Sequence, residues 1–362
     1  MTVPAGHFLL GPLLKSVSRS FYLTLRILPA AMRDPVGLAY LLARAADTIA
    51  DTSLIPPGRR LELLLGLRAQ VNGEAGGGAL DAAMIDAASQ QTQADEKVLL
   101  ESVPAALALL SRFEDSDRRA VRGIVTTLTE GMEFDLRTFP DETSGQVAAL
   151  GEWDELDRYT YLVAGCVGEF WTAMTFAHMP GVLQASAKTM TARGIRFGKA
   201  LQMTNILRDC GRDLRIGRCY LPAALLRQNG LRAEELLAPG ASQRARPVLL
   251  ELTRTTLDYF RDAIDYTLEI PALSLRLRLA CLWPIMIGLE TMSLLVANDE
   301  WLDPSSVSKV RRGDVYRIIA RSVPMALSDT LLRAWCARML KRIEARLAQV
   351  PDYENAARPP KR

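Results

Sequence analysis

The chain has 362 residues, 49% of them hydrophobic and 23% charged, with a formal net charge of +3. This is an ordinary globular profile with ample material for a large core, and its charge is too mild to argue for nucleic acid. Only two histidines, His7 and His178, occur, which excludes a His-rich zinc site and a histidine triad. Five cysteines (Cys166, Cys210, Cys219, Cys281 and Cys336) are scattered without CxxC spacing, which points to a reducing compartment.

The N-terminus lacks a signal-peptide layout, because Gly11-Pro12 interrupts its short apolar run. Residues 13–28 are mostly apolar and end at Pro29. A helix is predicted over 31–51, where Leu38, Leu41, Leu42, Ala45 and Ile49 keep one apolar face. Pro56-Pro57-Gly58 closes it. An amphipathic segment over 59–71 leads to the glycine-rich loop 73–78, which precedes no βαβ pattern and so does not read as a nucleotide loop. Helices are predicted next over 94–113 and 116–137. After the polar loop 140–145 they follow from near Trp153, then over 187–213, 247–269, 274–297, 313–320 and 325–348. No stretch has the uninterrupted length of a bilayer span; 281–297 carries Pro284 and Glu290 and reads as a buried core helix. Strand-like alternation is scarce, and neither a repeat nor a shift in composition divides the chain. The expectation is one all-α domain over 1–350, with a frayed polar tail at 351–362.

The most informative stretch is 201–222, LQMTNILRDCGRDLRIGRCYLP. Asn205, Asp209 and Asp213 stand at four-residue steps and so share one helix face. Carboxylates a turn apart repel each other unless a cation lies between them. Arg208, Arg212, Arg215 and Arg218 surround them with positive charge. Carboxylates for a hard divalent metal beside guanidiniums for phosphate oxygens make a diphosphate site. A lone DxxxD pair is more often a solvated, salt-bridged face. A second pair changes that weighing: Arg44, Asp47 and Asp51 fall on one stripe of the helix predicted over 31–51. With the two faces opposed, four carboxylates can hold Mg²⁺ against diphosphate oxygens and promote ionisation of an allylic carbon–oxygen bond.

Four motifs in order then make a specific pattern: Ser18-Arg19-Ser20-Phe21; Tyr40-x3-Arg44-x2-Asp47-Thr48-Ile49-Ala50-Asp51; Tyr159-x3-Val163-Ala164-Gly165-Cys166-Val167-Gly168; and Asn205-Ile206-Leu207-Arg208-Asp209. Over roughly residues 15–320 this resembles the squalene and phytoene synthase family. The resemblance implies an all-helical isoprenoid synthase fold with a central cavity between two aspartate-rich helices. It also implies head-to-head condensation of two prenyl diphosphates through a cyclopropyl diphosphate. On that footing Asp47, Asp51, Asp209, Asp213 and Asn205 would hold Mg²⁺. Arg19, Phe21, Tyr40, Arg44, Gln202, Arg208 and Arg218 would contact the substrate and its diphosphate. Tyr159 would accept or relay a proton as the cyclopropane forms. Phe21, and less specifically Phe134, Phe170 and Trp171, could shield a carbocation. Ala164, Gly165 and Gly168 would admit a prenyl chain or a close-packed helix. Ala50 departs from the acidic residue that eukaryotic squalene synthases carry there, which puts the metal stoichiometry in doubt.

The segment Val307-Ser308-Lys309-Val310-Arg311-Arg312-Gly313, after the apolar helix opened by Cys281-x2-Pro284, looks like the squalene synthase stretch that binds NADPH phosphates, so Lys309 and Arg311 are the expected cofactor residues. Gly217-Arg218-Cys219-Tyr220-Leu221-Pro222 instead resembles the bacterial phytoene-type run. The expected function is a farnesyl-diphosphate farnesyltransferase making squalene with Mg²⁺ and NADPH. The alternatives are a phytoene, dehydrosqualene or hydroxysqualene synthase without NADPH and, from another class, a non-catalytic helical subunit. The expected partners are farnesyl diphosphate and, for release of a hydrocarbon product, a transient membrane contact. A cytoplasmic monomer, at most peripheral at the inner membrane face and without nucleic acid, completes the expectation.

Overall fold

The helical periodicity is realised almost throughout the computed structural model, which describes residues 5–18, 21–52, 55–74, 88, 91, 93–139 and 141–349. Arg19, most of the glycine-rich loop and the tail 351–362 lie outside these residues.

Helix α1 (Phe21–Ile27) is followed, after the break at Pro29, by α2 (Ala30–Asp51), whose Leu38, Leu41, Leu42, Ala45 and Ile49 are all buried. Proline at its first position starts α3 (Pro57–Asn72). The helix predicted over 94–113 is broken at Ser102 into α4 (Ala94–Glu101) and Val103–Leu110. The cause is Pro104, which has no N–H to offer the carbonyl one turn back. Next come α5 (Asp115–Thr138) and α6 (Trp153–Thr160). A π-helical turn, Tyr161–Gly165, joins α6 to α7 (Cys166–His178). Ser186 caps α8 (Ala187–Arg215) by accepting the Thr189 N–H at 3.2 Å. Helix α9 (Ala241–Leu268) starts a turn and a half before the predicted 247, because the buried Ala241, Ser242 and Ala245 hold that turn despite Pro247. The remaining helices are α10 (Leu275–Val296), α11 (Arg312–Ala326, longer than expected) and α12 (Asp329–Gln349).

Helix α8 lies at the centre, packed by α7, α9 and α10, while α2 packs on α5 and α3. Two apolar clusters result, one around α8, α9, α10 and α12 and one around α2, α3, α5 and α7, with the cavities described below between them. By length and composition α10 could cross a membrane, but 78% of its most apolar window is buried inside the protein, as a core helix requires.

Glycines set the closest helix approach. A Cβ on Gly168 of α7 would lie 1.8 Å from the Gly194 carbonyl oxygen of α8, and one on Gly198 would lie 2.0 Å from the Ala164 oxygen. The obstacle is backbone in both cases, so a methyl group must separate the helices. Gly168→Ala is therefore expected to cost about 2 kcal/mol or more. Chemical denaturation measures it, and an unchanged midpoint would show that the helices part freely.

The sequence shows no hairpin, but it conceals one short parallel pair. Ala148–Ala149 runs beside Arg218–Cys219, with Ala148 N–H to Gly217 O at 3.0 Å and Leu150 N–H to Cys219 O at 3.1 Å. Gly217, at φ +83°, reverses the chain after α8 in the left-handed region that favours glycine. The reversal sends Arg218 back toward the centre of the molecule.

Candidate active site

Two joined cavities occupy the space between α2, α5, α7 and α8. The larger, about 440 Å³, is almost wholly apolar; its walls include Phe21, Tyr40, Phe170, Trp171, Phe197 and Pro284. The smaller, about 190 Å³, is far more polar: Asp47, Asp51, Asp135, Tyr159 and Arg218 line it beside apolar residues such as Met132 and Leu136. Leu128, Val163 and Gln202 line both and mark the junction.

The first acidic pair enters from the end of α2. Asp47 accepts a short hydrogen bond from Arg44, whose other nitrogen reaches Glu96 Oε1 of α4 at 2.9 Å. Burial, then the negative charge of Asp51, pushes Asp47 up to about 6 against the opposing pull of Arg44. Asp51 is open to the chamber's solvent yet walled by protein. It too is raised, with loss of hydration outweighing Arg218 and Arg44.

The second pair rides on α8. Asp209 takes a bidentate bond from its neighbour Arg208, at 3.0 Å and 2.6 Å. Asp213 is pushed up to about 6 by burial and then by Asp209, against Arg212 and Arg218, and it also feels the charge of Asp51. The two pairs are thus electrostatically in view of each other. Asn205 and Gln202 line the apolar cavity, with the Asn205 amide 3.5 Å from the Gln202 oxygen. Of the expected ring of arginines, Arg215 is not part of the site: it turns away to the carbonyls of Gly211 and Leu302, at 2.5 Å and 3.1 Å. Arg212 is largely exposed.

Behind the first pair lies a buried network that the sequence reading missed. Asp135 of α5 accepts from the Tyr220 hydroxyl at 2.8 Å and from Tyr159 at 3.3 Å, with Arg218 at 3.8 Å. Tyr159 stacks on Tyr220 with ring centres 4.9 Å apart. Arg218 also reaches Glu142 at 3.0 Å, and Arg60, 3.4 Å from the same oxygen, donates to the Ala50 carbonyl at 3.0 Å. Burial carries Asp135 up to about 7, despite Arg218 and the two hydroxyl donors. Its other oxygen, Oδ1, has no hydrogen-bond partner among the described residues. Burial and then Asp135 push the Tyr159 phenol well above its ordinary range. Tyr159 is thus a poor free phenolate base, but its hydroxyl can pass a proton to the carboxylate behind it.

Phe21 and Tyr40 stack with ring centres 5.4 Å apart in the apolar cavity. Phe170 and Trp171 line it as well, whereas Phe134 packs on Tyr159 instead. Ala164, Gly168, Gly194 and Gly198 serve twice, as close-packing positions and as cavity wall. Lys309 and Arg311 are not brought into this site. They lie exposed on an extended segment and line neither cavity. The preceding residues dock on α8 through Trp301 Nε1 to Leu207 O (2.7 Å) and through Leu302 against Gly211. Leu207 and Gly211 are two residues from the aspartates, about 200° round the helix.

Comparison with known proteins agrees with this architecture. The squalene/phytoene synthase family model matches residues 14–314, and the chain belongs to that family. A bifunctional lycopene cyclase/phytoene synthase of Colletotrichum graminicola is 28% identical over 269 residues, covering 70% of this chain and 41% of that one. A squalene synthase of Eremothecium gossypii is 26% identical over 316 residues, covering 86% and 66%. The chain therefore spans less than two thirds of the length of either relative. Among solved structures, the complex of TcSQS with the ligand BPH1237 superposes with a TM-score of 0.73 at 21% identity, over 98% of this chain and 99% of that one. That likeness bears on the fold.

Proposed function

We propose that the protein joins two molecules of farnesyl diphosphate head to head through presqualene diphosphate and reduces that intermediate to squalene with NADPH. One observation carries the reading: an apolar cavity fit for prenyl chains opens into a polar chamber holding an acidic pair, an arginine and a tyrosine–aspartate couple. Solvent-excluded apolar walls with a few converging polar groups are what a ligand site of this kind needs.

The donor chemistry suits Mg²⁺, because Asp47, Asp51, Asp209 and Asp213, with Asn205, offer hard oxygens. Among the described residues no three acidic, imidazole or thiol side chains converge on one point. The residues therefore fit an ion shared with substrate oxygens, the usual arrangement for Mg²⁺, rather than an all-protein cage. Bound there, Mg²⁺ would neutralise the diphosphate leaving group. Arg44, Arg208 and Arg218 would trade carboxylate partners for diphosphate oxygens, which guanidinium forks match equally well. For Arg19 this role rests on the motif alone. As cyclopropane closure releases a proton from carbon, Tyr159 oxygen would take it while giving its own hydroxyl proton to Asp135. The stacked Phe21 and Tyr40, with Trp171, would face positive charge on carbon with their π clouds.

NADPH would supply the hydride, and Lys309 and Arg311 would hold its phosphates. Their position outside both cavities favours a second reading, in which the intermediate loses a proton to give a phytoene-type product or takes up water. Nothing favours a non-catalytic subunit, for which the repelling acidic pairs would bring only cost. The proposed setting is a cytoplasmic monomer that touches the membrane to release product. Incubation with farnesyl diphosphate and Mg²⁺, with and without NADPH, followed by mass spectrometry, tests the reading. Squalene only with NADPH is expected. Dehydrosqualene, hydroxysqualene or presqualene diphosphate in the presence of NADPH would transfer the conclusion to the second reading, and no head-to-head product from any prenyl diphosphate would discard both.

A further inference from the structure

The face of α11 turned away from the core is apolar where a solvent-facing helix is normally polar. Tyr316 is 67% exposed, Val323 40% and Leu327 55%, and Ala320 is exposed between them. At 100° per residue these four positions fall within about 60° of arc and form one stripe. The stripe continues into α12 through Leu331, which is 48% exposed. At the same end stands Leu273, 96% exposed, just before α10. The ion pair of Arg278 with Asp329 ties the start of α10 to the start of α12 and so brings Leu273 to the α11–α12 corner. Isolated exposed apolar side chains are unremarkable, but a run along one helix face marks a contact surface.

The charges around the stripe identify its partner. Arg312 lies on the stripe, Arg317 and Arg321 stand on the flank of α11, about 90° and about 130° round from its centre, and Arg276 follows Leu273; all four are exposed. Arg312, Arg321 and Arg276 have no ion pair among the described residues. The nearby acids are engaged, Asp314 by Arg317 and Asp329 by Arg278. A tyrosine with an apolar body and a polar tip, leucines, and arginines able to extend their heads sideways suit the boundary between lipid headgroups and acyl chains. Behind the stripe, α11 is fixed to α10 by the Trp283 Nε1 bond to Ser322 Oγ (2.8 Å). Ala280, Cys281 and Pro284 of that same α10 form the wall of the apolar cavity. One helix thus separates the stripe from the cavity.

We infer that the outer face of α11 and the following α12 corner dock on an anionic lipid surface, which places the apolar cavity beside the membrane. The inference gives a location to the membrane contact proposed above, but its test needs no turnover, so the two can fail separately.

The full-length protein is sedimented with vesicles of phosphatidylcholine alone and of phosphatidylcholine mixed with phosphatidylglycerol. Binding to the mixed vesicles, weakened by salt, is expected. The pair Val323→Asp with Leu327→Asp should abolish it. The pair Arg312→Ser with Arg321→Ser, which leaves Lys309 and Arg311 in place, should weaken it about thirtyfold. Thermal melting verifies that each variant is folded. Absence of vesicle binding by the parent protein, or binding that folded variants retain in full, would overturn the inference. So would a dimer, seen by analytical ultracentrifugation, that the same apolar substitutions dissociate, since the face would then belong to a second copy.

Discussion

Asp209→Asn is expected to lower turnover by about two orders of magnitude or more while leaving helicity unchanged. The substitution keeps the shape of the side chain and an oxygen for Arg208, so α8 and its packing should survive. It removes the negative charge that the proposed divalent cation would need at this position. It also deprives Arg208 of the bidentate partner it now holds at 3.0 Å and 2.6 Å. If the carboxylate matters only as an ion-pair partner for Arg208, the variant should stay active. Steady-state kinetics over a range of Mg²⁺ concentrations, beside circular dichroism, separates the two. Full activity at ordinary Mg²⁺ would remove Asp209 from the proposed metal site.

The largest stability effect is expected at Arg218. Its guanidinium stands 3.8 Å from Asp135 and 3.0 Å from Glu142 and also lowers the proton affinity of Asp51 and Asp213. Arg218→Ala leaves these carboxylates without that compensation, at a cost of about 3 kcal/mol or more near neutral pH. The dependence on pH has a definite sign. Asp135 is already raised to about 7 in the fold, so between the unfolded carboxylate range and neutrality the native state binds more protons than the unfolded chain. Stability contributed by this group therefore falls as pH rises through that window. Without Arg218 its affinity for protons rises further, and the fall becomes steeper and extends to higher pH. Denaturation at about pH 5 should show a small difference between variant and parent, and at about pH 8 a large one. Adding Asp135→Asn should restore much of the loss. A penalty independent of pH would mean that Arg218 stabilises the fold through packing.

Much of this site is legible in the sequence because its chemistry is periodic. Two acidic pairs at four-residue steps, each beside arginine, announce themselves on any helix. The structure puts Asp47 and Asp51 in the polar chamber, while Asp209 and Asp213 line neither cavity and Asp213 only feels the charge of Asp51. Asp135 was missed because it lies within an otherwise apolar stripe. Val121, Ile124, Val125 and Leu128 of α5 are buried at helical spacing, and Asp135 continues that spacing where another apolar residue is due. An acid in such a position is the available signal, and Arg60 on the buried stripe Leu63, Leu64, Leu67 and Val71 of α3 gives the same one. Tyr220 and Glu142 carry no such mark. They reach Arg218 and Asp135 only because Gly217 turns the chain and a two-residue strand pair holds it, which no local pattern encodes. The basic segment at Lys309 and Arg311 shows the converse, a legible motif whose side chains line neither cavity.

The π-helical turn at Tyr161–Gly165 has a further consequence. It inserts one residue into a single turn, so everything after it is rotated by about 100° relative to a regular helix. Tyr159, before the insertion, faces the polar chamber, while Ala164, Val167 and Gly168, within and after it, face the apolar cavity and the backbone of α8. One continuous rod thereby serves two compartments of different polarity through a change of phase. The loss or gain of a single residue there would put the wall out of step with either the tyrosine proposed to carry a proton or the glycine seam. The length of this segment is thus constrained as well as its glycines.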